Sequence, residues 1–235
     1  LGIAAAHYGN ELEIFVSDDH YNRVQVFGET GNFKRKFSLV NNDPRGIAID
    51  DNGSVYVADR SDLVNVYDRN GTFLRSITGI PGDPWGLSIQ GNRLAVGNSG
   101  AHYVRIYDVN GTFIKQFGTY GKGVGEFDQP RGVSFAPNGD LWVADHVNHR
   151  VQIFDGNGTY LRQIGNLAQN PGLSSPSAVT MDLSNYYLSD TESNRVVVMS
   201  QADGSHVRTI ALSGAGYNQA SSPKGIALDG YGRIY

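Results

Sequence analysis

Residues 130–165 decide the fold, and they read PRGVSFAPNGDLWVADHVNHRVQIFDGNGTYLRQIG. Four short apolar runs, at 132–135, 141–144, 150–154 and 160–164, are separated by Pro-Asn-Gly, a polar loop and Gly-Asn-Gly. Val, Ile, Phe, Trp and Tyr favour strands, and Asn-Gly favours tight hairpins. The stretch therefore predicts one antiparallel sheet of four strands, which is too small to be stable alone and needs further copies.

Prolines mark a repeat of this sheet, because Pro44, Pro84, Pro130, Pro176 and Pro223 each precede the same kind of apolar run. Such a period is typical of a unit that stacks on copies of itself. Units begin near residues 1, 45, 85, 131, 177 and 224, and the last stops at residue 235 after its second strand. Each unit is almost continuously apolar in its first two strands and charged in its fourth, which favours radially packed blades over a sandwich.

A recurring triplet and a glycine-rich connection carry a family resemblance. Asn148-His149-Arg150 is the clearest triplet, and residues 21–23 and 193–195 are weaker forms; residues 118–130 are the connection. The units resemble NHL repeats over the whole chain. The resemblance implies one all-β domain over residues 1–235, a β-propeller of four-stranded antiparallel blades, most often six. The sixth blade is incomplete in this sequence, and we expect the rest of a larger polypeptide to complete it.

Composition excludes several function classes. The sequence of 235 residues has a formal charge of −4, which gives no general reason to expect a nucleic-acid or anionic-membrane partner. It has no cysteine, so disulfides, thiolate metal sites and cysteine nucleophiles are excluded. No apolar run is long enough for a transmembrane helix, so no membrane insertion is expected.

The residues that follow the prolines are predicted to ring the mouth of the central channel. They are Arg45, Trp85, Arg131, Ser177 and Lys224. Three cations and an indole suit an anionic or planar ligand, by charge and by stacking. The alternative is that the cations close the channel against neighbouring aspartates. His146, His149 and Tyr120, in loops of the same face, join Arg45, Trp85, Arg131 and Lys224 as predicted ligand or partner residues.

Aspartates end the second strand of four units, at Asp18, Asp59, Asp145 and Asp190, with Asn98 in the remaining copy. We interpret them as a structural polar ring, in which each carboxylate accepts loop N–H groups and pairs with an arginine such as Arg23, Arg150 or Arg195. Metal ligands would have to converge rather than spread around a ring. No metal site, cofactor or catalytic residue is predicted.

Four Asn-Gly-Ser/Thr triplets match the acceptor pattern for N-glycosylation, at Asn52, Asn70, Asn110 and Asn157. All lie in hairpins predicted to face away from the mouth. Asn-Gly is also the preferred hairpin turn, so the repeat could generate the pattern without glycosylation. The triplets slightly favour an extracellular over a cytoplasmic location, which the sequence otherwise leaves open.

The repeat pattern without a catalytic set predicts a non-enzymatic propeller that binds a protein partner or acts as a structural component. Single-stranded RNA recognition is the first alternative, because RNA-binding members of the family use the mouth face. A propeller lyase or hydrolase is the second. Amidating lyases resemble these repeats, but they require histidines on first strands at the axis, and none is expected there.

Overall fold

The apolar runs form twenty strands in a computed structural model that describes residues 2–40, 43–165, 172–211, 221–229 and 231–235. The strands make five sheets, each with four strands neighbouring one another in chain order. The blades are β1 (Ile3–Tyr8), β2 (Glu11–Asp18), β3 (Arg23–Gly28) and β4 (Phe33–Ser38); β5 (Pro44–Ile49), β6 (Val55–Asp59), β7 (Leu63–Tyr67) and β8 (Phe73–Ile77); β9 (Pro84–Gln90), β10 (Arg93–Asn98), β11 (Tyr103–Asp108) and β12 (Phe113–Phe117); β13 (Pro130–Phe135), β14 (Leu141–Asp145), β15 (Arg150–Phe154) and β16 (Tyr160–Ile164); and β17 (Pro176–Met181), β18 (Asn185–Asp190), β19 (Arg195–Ser200) and β20 (His206–Ala211).

The predicted number of blades is wrong, because the described residues form five blades and not six. The apolar run that begins at Lys224 does not build a further four-stranded sheet. Its only bridge among the described residues joins Leu228 to Ile234, so it forms a short hairpin without a ladder. Leu1, where the first unit was predicted to begin, lies outside the described residues.

This C-terminal hairpin lies between the fifth blade and the first. On one side, the Thr191 hydroxyl donates a hydrogen bond to the Pro223 carbonyl at 2.8 Å. On the other side, the guanidinium of Arg233 forms an ion pair with Glu29 of the first blade. The hairpin therefore contacts both neighbouring blades.

Burial follows the radial position of each strand. The second strands β6 and β14 are buried at every residue, whereas the fourth strand β12 is exposed along most of its length. First strands meet closely around the axis: a Cβ added to Gly132 would lie 2.6 Å from the Cα of Ala178 and 2.7 Å from the Ser177 carbonyl oxygen. Only glycine fits that approach, which is why small residues recur at this point of the repeat.

A buried ion cluster joins the first two blades at their hairpin ends. The Glu13 side chain is 1% exposed and lies 2.7 Å from Arg35, 2.8 Å from Arg69 and 3.5 Å from Lys34. Burial raises the pKa of Glu13, but hydrogen bonds from the two arginines outweigh it and hold that pKa well below its usual range. The cluster ties β2 and β4 to the β7–β8 hairpin.

One expectation about histidines is also wrong, since His7 lies on the first strand β1. It packs edge-on against Tyr231, with ring centroids 5.5 Å apart. Across the described ranges, no group of three or more His, Asp or Glu side chains is arranged to hold a metal ion. The same ranges contain no helix long and apolar enough to cross a membrane.

Candidate functional site

One loop residue in each of the five described blades ties that blade to the segment that follows it. These residues, between the second and third strands, have left-handed φ values of 50° to 64°. Each side chain accepts a hydrogen bond, 2.7–3.2 Å long, from the backbone N–H just before the next proline of the repeat; that proline opens the next blade in four cases and the C-terminal hairpin in the fifth. The acceptor and donor pairs are Asn22 and Asp43, Asp62 and Asp83, His102 and Gln129, His149 and Ser175, and Asn194 and Ser222. These latches hold the loops between second and third strands against the connections that precede the prolines. Both kinds of loop therefore lie on one side of the propeller, here called the loop face.

His149, predicted to bind a ligand or partner, forms one of these latches. Its Nδ1 accepts the N–H of Ser175 at 3.1 Å. His102 does the same for Gln129, also at 3.1 Å. An accepting Nδ1 places the proton of a neutral imidazole on Nε2. Both rings therefore offer an Nε2–H donor while holding the loops together.

The aspartates at the ends of the second strands make contacts within their own loops. Asp18, Asp145 and Asp190 pair with the arginines five residues later, at 2.8, 2.8 and 2.7 Å. Asp59 instead accepts the Ser61 N–H at 2.8 Å. Burial raises the pKa of Asp59 and of Asp145. Each carboxylate is thus engaged by its own blade and points to no shared ligand.

Arg45, Trp85 and Arg131 meet at the channel mouth, as their equivalent positions in three successive blades predict. The guanidinium carbons of Arg45 and Arg131 lie 4.3 and 4.4 Å from the centre of the Trp85 ring. The two arginines belong to the blades on either side of the Trp85 blade, so the indole is sandwiched between them. A nucleobase or other planar ligand finds no free indole face there. Lys224 lines the central channel, whose volume is about 230 Å³.

The Arg131 guanidinium lacks a counter-ion. It donates a hydrogen bond to the Ser177 hydroxyl at 3.2 Å, and in the described part of the chain no carboxylate lies within 4 Å of it. Burial and the neighbouring charge of Arg45 lower the pKa of Arg131 to about 10. Arg45 has a weak partner in Asp43, at 3.5 Å. The alternative that these cations close the channel against aspartates therefore does not describe Arg131.

A cavity of about 480 Å³ opens beside the stack on the loop face, here called the arginine cavity. Its lining comes from three blades and their connections: Arg45, Arg60, Asp83, Trp85, Ser99, Gly100, His102, Gln129 and Arg131. Three arginines face one aspartate, so the charge of the lining favours an anion. Arg45 Nε, Asp83 Oδ1 and Arg131 Nε are buried, and they have no hydrogen-bond partner in the described ranges of the chain. The volume is that of a small-molecule site.

The other two loop residues predicted to bind differ sharply in exposure. His146 is 8% exposed, and its Nδ1 lies 3.2 Å from the Pro176 carbonyl and 3.4 Å from the Ser177 hydroxyl. Burial, with the charge of Arg131, lowers the pKa of His146 to about 4, so the ring is neutral near pH 7. Tyr120 is 68% exposed and packs against His102, which lines the arginine cavity.

The four possible glycosylation asparagines are exposed and lie in hairpins opposite the loop face. In each hairpin a preceding aspartate accepts the asparagine N–H at 2.8–3.0 Å: Asp50 for Asn52, Asp68 for Asn70, Asp108 for Asn110 and Asp155 for Asn157. These contacts are those of a tight turn. Glycosylation stays a prediction.

The fold and the loop face define a β-propeller with a cationic pocket built from several blades. The NHL repeat model matches residues 41–62 and 127–154 of this propeller, which confirms the predicted resemblance to NHL repeats in those two stretches. A comparison with curated proteins found no match.

Two solved structures share the fold. A streptogramin B lyase structure superposes with a TM-score of 0.70 at 12% identity, covering 99% of this chain and 88% of that one. A catalytically inactive histidine-to-alanine variant of virginiamycin B lyase from Staphylococcus aureus, with quinupristin, also has a TM-score of 0.70. Its identity is 15%, and 97% of this chain and 74% of that one are covered.

These similarities contradict the prediction of a non-enzymatic binding scaffold, because propellers that share the fold over nearly the whole chain are enzymes. That prediction rested on finding no catalytic motif along the sequence. A propeller assembles its pocket from loops of different blades, so a linear motif is not required. At these identities the similarity establishes the fold and not the reaction of this chain.

The sequence interpretation missed Asp83 and His102 as lining residues of the arginine cavity. Asp83 directly precedes Pro84, and His102 occupies the latch position of its blade. Alignment of the repeats could have placed both next to Arg45 and Arg131. It could not have shown that the Asp83 oxygen is unpartnered.

Proposed function

We propose that this propeller is an enzyme of the lyase kind, which binds a small organic acid in the arginine cavity and removes a proton from it. One observation carries the proposal: Arg45 Nε, Asp83 Oδ1 and Arg131 Nε are buried without partners among the residues that the structure describes, and all three residues line one cavity. Buried polar atoms in proteins normally have hydrogen-bond partners. A bound anion with an acidic C–H supplies what these atoms lack.

The charges of the lining assign the roles. The substrate carboxylate lies against Arg45 and Arg131, since guanidinium groups bind carboxylates through charge-assisted hydrogen bonds. Fixed positive charge also stabilises the negative charge that develops on the carboxylate as the neighbouring carbon loses its proton.

Asp83 Oδ1 accepts the proton from the carbon next to the carboxylate, and the C–H electron pair forms a carbon–carbon double bond. The leaving group on the adjacent carbon departs with its bonding electrons and takes a proton from solvent water. Asp83 ends protonated and returns its proton to the solvent, which restores the carboxylate.

The shared fold supports this reaction class over others, since both similar structures are lyases. Elimination needs a base and a cationic stabiliser. The arginine cavity is lined by a carboxylate and by arginines from successive blades, which suit these two roles.

The test uses carboxylic acids with a leaving group on the β-carbon, and quinupristin because one similar structure holds it. Turnover is followed by the ultraviolet absorbance of the new double bond, and binding by calorimetry. Asp83→Asn is expected to keep binding and to lose about 10²–10⁴-fold in kcat. Asp203→Asn, which removes the same charge from an exposed opposite hairpin, serves as the matched control.

Two results would overturn the proposal. One is that no acid in the panel binds to the wild-type protein. The other is that Asp83→Asn turns over a wild-type substrate at the rate of Asp203→Asn.

A further inference from the structure

The connection between the third and fourth blades, residues 118–129, is held rigidly although it is a long surface loop. Arg150 donates to the carbonyls of Gly123 at 2.7 Å and Glu126 at 2.9 Å. Asn148 donates to Gly121 at 2.8 Å. These donors are themselves fixed by Asp145 at the end of β14. The connection is therefore a preformed part of the loop face.

Tyr120 is the large side chain that this connection presents to solvent. It is 68% exposed, and its ring stands at 71° to that of His102 with centroids 4.8 Å apart. The parallel bridge between Tyr120 and Phe127 fixes its backbone. Tyr120 does not itself line the arginine cavity, but it contacts His102, which does.

Exposed aromatic rings bind the planar, apolar parts of ligands, and a rigid ring loses little conformational entropy on binding. The indole of Trp85 is not available for this purpose, since guanidinium groups lie over it on both sides. A ligand whose carboxylate reaches Arg131 has Tyr120 and His102 as the aromatic surface beside the same cavity.

We propose that Tyr120 and His102 form an aromatic subsite, and that the substrates of the arginine cavity are aromatic carboxylic acids. The proposal rests on the function proposed above. The carboxylate fixes one end of the ligand at the arginines, and the ring of the ligand packs against Tyr120. Selectivity for a planar ring then resides in an exposed side chain.

Calorimetric titration with acetate, benzoate and cyclohexanecarboxylate tests the subsite. Acetate reports the carboxylate contact alone, and cyclohexanecarboxylate adds apolar area without a planar ring. An aromatic contact contributes about 0.5–1.5 kcal/mol beyond burial of area, so benzoate is expected to bind about three- to tenfold more tightly than cyclohexanecarboxylate.

Variants separate the contribution of the aromatic subsite to binding from that of the carboxylate contact in the arginine cavity. Tyr120→Ala is expected to abolish the preference for benzoate and to leave acetate affinity unchanged, whereas Tyr120→Phe keeps the preference. Tyr21→Ala is the matched control, because Tyr21 is 64% exposed and packs edge-on against His20 in the β2–β3 loop of the first blade.

The outcomes are distinguishable. If the wild-type protein binds acetate but shows no preference for benzoate, or if Tyr120→Ala keeps that preference, the aromatic subsite is refuted and the anion site stands. If the wild-type protein binds none of the three acids, the proposed function and the subsite both fail.

Discussion

Replacing Arg131 by methionine is expected to make the ligand-free protein more stable. The fold lowers the pKa of Arg131 to about 10, well below the ordinary value of an arginine, chiefly through burial. One pKa unit corresponds to about 1.4 kcal/mol, so keeping this guanidinium charged costs roughly 3 kcal/mol. Its stacking on Trp85 and its hydrogen bond to Ser177 each stabilise the folded protein by about 1 kcal/mol.

The net effect of Arg131→Met is therefore a gain of about 1 kcal/mol in the free energy of unfolding. Methionine is unbranched and apolar, so it fits the space of the arginine side chain without strain that would cancel this gain. For a domain of this size the gain corresponds to a rise in Tm of about 2–4 °C. Thermal and urea denaturation without added anions measure it. Benzoate should raise the Tm of the wild-type protein and leave that of Arg131→Met unchanged.

Arg150→Met is the matched control, because Arg150 is also a buried arginine but has a carboxylate partner. It lies 2.8 Å from Asp145, whose side chain is fully buried. Removing one member of a buried pair costs about 3–5 kcal/mol. If Arg131→Met destabilises the protein as Arg150→Met does, Arg131 is a structural residue and the anion-site reasoning is wrong.

Two further predictions concern the latches and the ion cluster. His149→Ala should lower the free energy of unfolding by about 1–3 kcal/mol, because the buried Ser175 N–H loses its acceptor. His149→Asn should keep most of that stability, because Asn22 and Asn194 form the same latch in other blades. Equal losses for the two variants in urea denaturation would contradict the latch. Glu13 has a depressed pKa in the fold, so its contribution is present above the unfolded value of about 4.5 and lost as pH falls below it. The stability difference between wild type and Glu13→Gln should accordingly shrink below about pH 4.5 in acid titrations, and a constant difference would refute this role.

The repeat could be predicted from the sequence because its signals are local. A few apolar residues indicate a strand, Asn-Gly indicates a hairpin, and a proline marks the start of each repeat. Each of these signals involves only residues that are close together in the sequence. The same repetition placed Arg45, Trp85 and Arg131 at equivalent positions. It therefore predicted that they would meet at the mouth.

The number of blades could not be read from the same pattern. The run at residues 224–229 has the sequence of a first strand, but a strand exists only when a neighbour completes its hydrogen bonds. Leu228 and Ile234 make one bridge, so the structure counts five blades where the repeats counted six.

The sequence by itself determined that this protein is built of repeated four-stranded antiparallel units that resemble NHL repeats, and which side chains each blade turns toward its loop face. Only the tertiary structure decided that Arg131 has no counter-ion and Asp83 an unpartnered oxygen within the described part of the chain, and that both line one cavity with His102. The physical reason is distance along the chain. Strands and turns depend on neighbouring residues, whereas pairing and burial depend on how separate blades approach, which no local pattern encodes.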